Sequence, residues 1–174
     1  MSTKYVVTTL YLASILALVG CRNYSVSVND NVVYTPLPLF KDFTIADERL
    51  HNCVEQTIID NKIPKASDLK QLSCSNAGIS NLTGLEIFSA IEELNLAENA
   101  IIQIEPLSKL AQIRVLILRK NNIKNAASLL HLLHLRELDI SENGKLACND
   151  IQQLLTNFQK HDLKATLPEH CKKG

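Results

Sequence analysis

Leu72, Leu94, Leu116 and Leu138 recur every 22 residues, and the columns around them recur in step. Two positions on stand Cys74, Leu96, Leu118 and Ile140; three further stand Ala77, Asn99, Asn121 and Asn143. Ile79, Ile101, Ile123 and Lys145 come next, and Leu85, Leu107 and Leu129 hold the same register. Chance does not keep so many columns aligned without a gap. A unit this short cannot bury its apolar side alone, so it must stack on its neighbours, which makes the middle of the chain a solenoid. Leu and Ile fill 44 of 174 positions and Trp is absent, as a repeated aliphatic core requires.

The columns spell L-x-x-L-x-L-x-x-N-x-I over residues 69–148, and this pattern resembles the leucine-rich repeat. In one unit Leu94 and Leu96 point inward from a short strand, and Asn99 satisfies buried backbone groups at the turn that follows. The first repeat departs from the pattern with Ala77 at the asparagine position. The fourth departs with Lys145 at the isoleucine position and an irregular Gly144. Terminal repeats are usually atypical. The 22-residue length, with Ile79–Glu86 (ISNLTGLE) and Ile104–Leu107 (IEPL), resembles the internalin-type bacterial subclass. That resemblance implies an α/β solenoid of about four leucine-rich repeats, with short parallel strands on the concave face and helical caps at both ends.

The start of the chain carries a different signal. Lys4 precedes an apolar run of 14 residues, Val6 to Val19. A membrane span needs about 20 residues, whereas a signal-peptide apolar region is shorter. The run ends in Leu18-Val19-Gly20-Cys21, which resembles the lipobox of bacterial lipoproteins, where cleavage follows the glycine and the cysteine is acylated. An ordinary secretory signal beside a chance cysteine is the competing reading. Two or three acyl chains on Cys21 would exceed the threshold for stable anchoring. Arg22, rather than aspartate, follows the cysteine, and by the enterobacterial sorting rule this implies the outer membrane. The domain boundaries expected are a signal peptide at 1–20, a lipidated tether at 21–39, an N-terminal cap at 40–68, repeats at 69–148 and a C-terminal cap at 149–174. Within the tether, Tyr24 to Val28 alternate well enough to form an edge strand instead.

Ahead of the repeats, Leu50, Val54 and Ile58 are spaced by four, giving one apolar helical face from Asp47 to about Asn61 with Thr44 or Asp47 as N-cap. Behind them, Ile151, Leu154, Leu155 and Phe158 predict a closing helix from about Asp150 to His161, with Asn149 and Gln152 as a capping pair. Four cysteines remain besides Cys21: Cys53, Cys74, Cys148 and Cys171. Of three possible pairings, 53–74 and 148–171 are local, while the others would join opposite ends of a solenoid. An exported compartment suits such bonds. Cys74 as a free thiol filling a leucine slot is the rival reading.

Catalytic patterns are missing: no glycine-rich phosphate loop, G-x-S-x-G, H-E-x-x-H or C-x-x-C occurs. His131 and His134 read as surface histidines rather than a zinc pair, and His161 and His170 take the same reading. Glu92 and Glu93 are neighbours on a strand and face opposite ways. The chain is therefore expected to be no enzyme, with no cofactor and no metal. Lys plus Arg equal Asp plus Glu at 18 each, so there is no basic excess for nucleic acid.

A solenoid offers its concave face instead. Residues between the inward leucines stack there in columns: Gln71, Glu93, Val115, Glu137; then Ser73, Asn95, Ile117, Asp139; then Ser75, Ala97, Arg119, Ser141. Val115 and Ile117 stand as an aliphatic centre with Arg119 beside them and acids on both flanks, an arrangement like an interface core and rim. A scattered exposed aliphatic pair is the plainer alternative. Glu93, Asn95, Val115, Ile117, Arg119, Glu137 and Asp139 are the candidate contacts with an unidentified protein. The membrane is the second partner, through the lipid on Cys21. A structural envelope subunit with no concave ligand is the alternative role.

Overall fold

A computed structural model describes residues 26–28, 31–34, 38–158 and 163–172. The chain divides into two compact units, Met1–Pro38 and Leu39–Gly174. In the first, β1 (Val26–Val28) pairs antiparallel with β2 (Asn31–Tyr34). These residues thus form a hairpin within the span read as a tether. The apolar run and Cys21 lie outside the described residues. Among those described, no helix is long and apolar enough to cross a membrane.

The second unit begins with helix α1 (Glu48–Asp60), whose buried face is Leu50, Val54 and Ile58, as the spacing predicts. Strands β3 (Gln71–Ser73), β4 (Glu93–Asn95), β5 (Val115–Ile117) and β6 (Glu137–Asp139) follow, one per repeat. They pair in parallel with Leu72, Leu94, Leu116 and Leu138 side by side. Between strands the chain returns through 3₁₀ turns at Leu85–Ile87, Glu105–Lys109 and Ala127–His131. Helix α2 (Cys148–Phe158) comes next, and β7 (Lys164–Thr166) then adds a fifth parallel strand beside β6. The sequence columns stop at four, so β7 is a feature they do not contain. Helix α2 also begins earlier than its apolar spacing predicts: Asn149 sits inside the first turn, not at a cap. Asp150 instead turns its Oδ2 to the backbone N–H of Ala126 at 3.3 Å.

One continuous aliphatic core runs from α1 to α2 through every repeat. The repeat columns are its rungs: Leu94, Leu96, Leu116, Leu118, Leu138 and Ile140 are at most 1% exposed. In the last repeat Lys145 is exposed, and Leu146 fills the core one residue later. Gly144 is the extra residue that shifts the phase.

Strands β3 to β6 each end in the same tight turn. Asn76, Glu98, Lys120 and Glu142 all adopt positive φ, between 53° and 59°. That left-handed conformation costs roughly 1 kcal/mol per non-glycine residue. In the last three turns the asparagine that follows offsets it. Asn121 Oδ1 accepts from the Ile101 N–H at 3.0 Å, and its Nδ2 donates to the carbonyls of Leu96 and Leu118 at 2.9 and 3.0 Å. Asn143 repeats this with Ile123, Leu118 and Ile140, and Asn99 with Ile79, Cys74 and Leu96. Every asparagine therefore ties its own turn to the preceding repeat.

Ala77 has no preceding repeat to serve, and Asp47 takes over at that end. Its Oδ1 accepts from the N–H groups of Arg49 and Leu50, capping α1. Its Oδ2 accepts from the Ser80 N–H and hydroxyl and from the Asn81 N–H. Asp47, not Thr44, is thus the N-cap, and the same carboxylate fastens the helix to the first repeat. Partial burial alone would raise its pKa. The N–H groups of Ser80, Leu50 and Asn81 and the Ser80 hydroxyl outweigh this and hold it below the ordinary carboxylate range. The segment before it lies so close to the first repeat that only glycine fits at 84. A Cβ there would stand 2.2 Å from the Thr44 carbonyl oxygen, and Gly84 has φ +99°. Phe40, Phe43 and Phe88 pack as a ring cluster beneath, with centroids 5.4 to 6.0 Å apart.

Two outcomes follow from these contacts. Asn121→Ala should lower unfolding free energy in urea by about 2–4 kcal/mol, because it strands a buried N–H and two carbonyls. Asp47→Asn should cost about 1–2 kcal/mol at neutral pH, since an amide nitrogen would face the Ser80 and Asn81 donors. The native pKa is depressed, so this stabilisation is present above the unfolded value of about 3.9 and is lost as pH falls through the native one. The gap between wild type and Asp47→Asn in thermal melts should therefore close below about pH 4.

Candidate functional site

The strand register places the expected columns side by side on the solvent face of the sheet. Val115 stands between Glu93 and Glu137, and Ile117 stands between Asn95 and Asp139. Lys164 and Thr166 of β7 extend the two rows beyond Glu137 and Asp139. Val115 and Ile117 are half-buried, whereas Glu93 and Glu137 are exposed. The third row holds less well: Ala97 is buried at 6% exposure and offers no outward contact.

An open groove of about 470 Å³ crosses this face. Its floor includes Gln71, Ser73, Glu93, Asn95, Val115 and Ile117, and α1 contributes Thr57 and Asn61 as one wall. The sequence analysis missed that wall. The helix was legible, but its side chains carry no mark of which strand edge they overlook.

The candidate residues divide by what they already hold. Asn95 Oδ1 accepts from the Ala97 N–H at 3.0 Å, and Asp139 Oδ1 accepts from the Ser141 N–H and hydroxyl at 3.1 and 2.6 Å. Both therefore close the turn after their strand. Arg119 is committed too. Its guanidinium donates to Glu98 Oε1 at 2.9 Å and to Glu142 Oε1 at 3.1 Å, and Lys120 donates to Glu98 Oε2 at 3.0 Å. The bond to Glu142, followed by the attraction of both carboxylates, raises the Arg119 pKa; the Lys120 ammonium, followed by Arg119, lowers that of Glu98. Arg119 is thus a member of an ion-pair ladder rather than a free contact. Glu98, Lys120 and Glu142 occupy one 22-residue column of alternating charge, and Arg119 joins them from the neighbouring column. Glu93 and Glu137 make no side-chain hydrogen bond or ion pair among the described residues.

The cysteines close both ends. Cys53 and Cys74 are bonded with Cα atoms 5.9 Å apart, and Cys148 and Cys171 with Cα atoms 5.3 Å apart. Cys74 is 2% exposed, so it fills the leucine slot and carries the bond at once. His170 lies against the second bridge, with its ring nitrogen within 4.8 Å of both sulfurs. The disulfide uses those sulfurs, and His170 Nε2 sits 2.9 Å from the Leu146 carbonyl oxygen. His134 Nδ1 sits 2.9 Å from the Ala111 carbonyl oxygen, and His131 is exposed.

Solved structures that resemble the chain include two internalins. An internalin (inlF) from Listeria monocytogenes superposes with a TM-score of 0.59 at 23% identity, over 71% of this chain and 36% of that one. Internalin C2 (inlC2) from the same organism superposes with a TM-score of 0.52 at 23% identity, over 58% of this chain and 47% of that one. The fold is an internalin-like leucine-rich repeat solenoid. This chain spans less than half the length of either internalin. No family model matches the chain, and no curated protein matches it.

Alkylation of the unfolded but unreduced protein should leave Cys53, Cys74, Cys148 and Cys171 unlabelled in the intact mass, with four adducts on them only after reduction. Labelling of any two without reductant would break the assignment.

Proposed function

We propose that this protein is a bacterial outer-membrane lipoprotein, anchored through Cys21, whose repeat domain binds another protein on the solvent face of its sheet. The observation that carries the reading is the Val115–Ile117 pair, set in an open groove, with Glu93 and Glu137 on either side of Val115 and free of ion pairs among the described residues. Aliphatic side chains gain from leaving water, and a polar rim orients what covers them. A parallel strand ladder of this kind is a stiff, preorganised surface, which lowers the ordering cost of association. Likeness to internalins at the level of fold agrees with an interaction module. The lipobox-like Leu18-Val19-Gly20-Cys21 and Arg22 support the anchor and its membrane. In this reading the chain is not an enzyme and needs no cofactor or nucleic acid.

A photo-crosslinking residue at position 117, compared in cells with one at the exposed Leu133, tests the proposal. A dominant protein adduct specific to position 117, lost when Val115→Ser is added, is the expected result. Equal silence at both positions would favour the structural envelope role instead. Cys21→Ser should move the protein from the membrane to the soluble fraction and abolish palmitate labelling.

A further inference from the structure

The groove has a sign as well as an apolar floor. Across the strands, one row runs Glu93, Val115, Glu137 and the next runs Asn95, Ile117, Asp139. Adjacent strands lie about 4.8 Å apart, so the two glutamates bracket Val115 at roughly 10 Å from one another. Neither is neutralised by an ion pair among the described residues. Arg119, just beyond the end of β5, is held by Glu98 and Glu142. Lys164 borders Glu137 in register but forms no ion pair with it. The α1 wall adds to the effect. Thr57 and Asn61 stand at the C-terminal end of that helix, where the backbone dipole is negative, and its last turn holds no basic residue. Of the two glutamates Glu93 lines the groove and Glu137 borders it one strand beyond Val115; Lys62, after the helix, also lies outside the lining.

We infer that the groove takes an extended polypeptide segment in which an aliphatic residue sits between two basic ones, in the order basic-x-aliphatic-x-basic. This inference rests on the binding reading above and names the chemistry of the partner. Alternate residues of an extended segment face the same way at about 6.7 Å intervals, so the aliphatic side chain covers Val115 and Ile117 while the basic ones lean inward to Glu93 and Glu137. The pairing is complementary in charge and steers approach as well as register. The occupant is not this chain. Nowhere in its 174 residues do Lys or Arg stand four apart around a central aliphatic residue. A second copy or the chain's own N-terminal segment therefore cannot supply the motif.

The test is fluorescence anisotropy with purified full-length protein and two labelled heptapeptides. In one, a central leucine is bracketed by lysines two positions away on each side; in the other, glutamates replace the lysines. The lysine peptide should bind at least about ten-fold more tightly at low salt, and the difference should shrink as salt screens the charges. The double variant E93K/E137K should reverse the preference without changing the circular dichroism or melting of the domain. Equal binding of both peptides, a preference for the glutamate peptide, or a preference that E93K/E137K leaves intact would overturn the inference. These outcomes are separable from failure of the binding reading itself. A position-117 adduct whose contact segment is acidic or neutral would sink the charge assignment and leave protein binding standing. Silence at 117 together with no peptide binding would sink both.

Discussion

The asparagine ladder is the interaction on which the solenoid depends. A parallel strand of three residues cannot hold its own register, and each strand here leads into a left-handed turn that non-glycine residues resist. Buried N–H and C=O groups at that turn have no strand partner. Asn99, Asn121 and Asn143 supply one acceptor and a two-hydrogen donor at the required place, and they reach backward across the repeat boundary. Leucine packing is non-directional and would tolerate slippage between units. The amide bonds do not, so they set the stacking that places Glu93, Val115 and Glu137 in one row.

A ladder that reaches backward leaves its first rung unserved. The chain solves this with a carboxylate from outside the repeats, since Asp47 has two oxygens and divides them between a helix and a loop. The Cys53–Cys74 bridge fastens the same helix to the first strand at its other side. At the far end the Cys148–Cys171 bridge joins the start of α2 to the turn after β7. Each bridge closes a loop of about twenty residues, worth roughly 3 kcal/mol by restricting the unfolded chain. For a solenoid with so few repeats, the terminal units form a large share of the core, and fixing them limits fraying.

Legibility in the sequence followed the repeat. Leu94 and Leu96, the asparagine column, the first helix with Thr44 or Asp47 as its cap and the local cysteine pairs could all be found because each depends on spacing along the chain. Strand β7 could not. Helix α2 is spliced ahead of it, which takes Lys164 out of the 22-residue columns, and Ala165 stands where the other strands carry leucine. The β1–β2 hairpin is equally local, yet Tyr24 to Val28 alone does not reveal a partner at Asn31–Tyr34. The start of α2 was obscured because its apolar stripe begins at Ile151, a turn after the backbone becomes helical. For the site, the column logic identified which side chains share a face. It did not show which were already occupied, because Arg119 and its partners Glu98 and Glu142 come from three different turns brought together by stacking.

That occupation changes the electrostatics of the face. Were Arg119 unengaged, its guanidinium would lie at the end of β5, near the aliphatic pair and within reach of the same field as Glu137 and Asp139. Two carboxylates at the left-handed turns draw it along the strand ends instead, and Lys120 closes the set by pairing with Glu98. Exposed ion pairs of this sort contribute little to folding. Their consequence is directional: they hold Arg119 at the strand ends, so it does not pair with Glu93 or Glu137, which form no ion pair among the described residues. The chain as a whole is neutral, so the preference for a basic partner inferred above would come from where the charges are tied down rather than from how many there are.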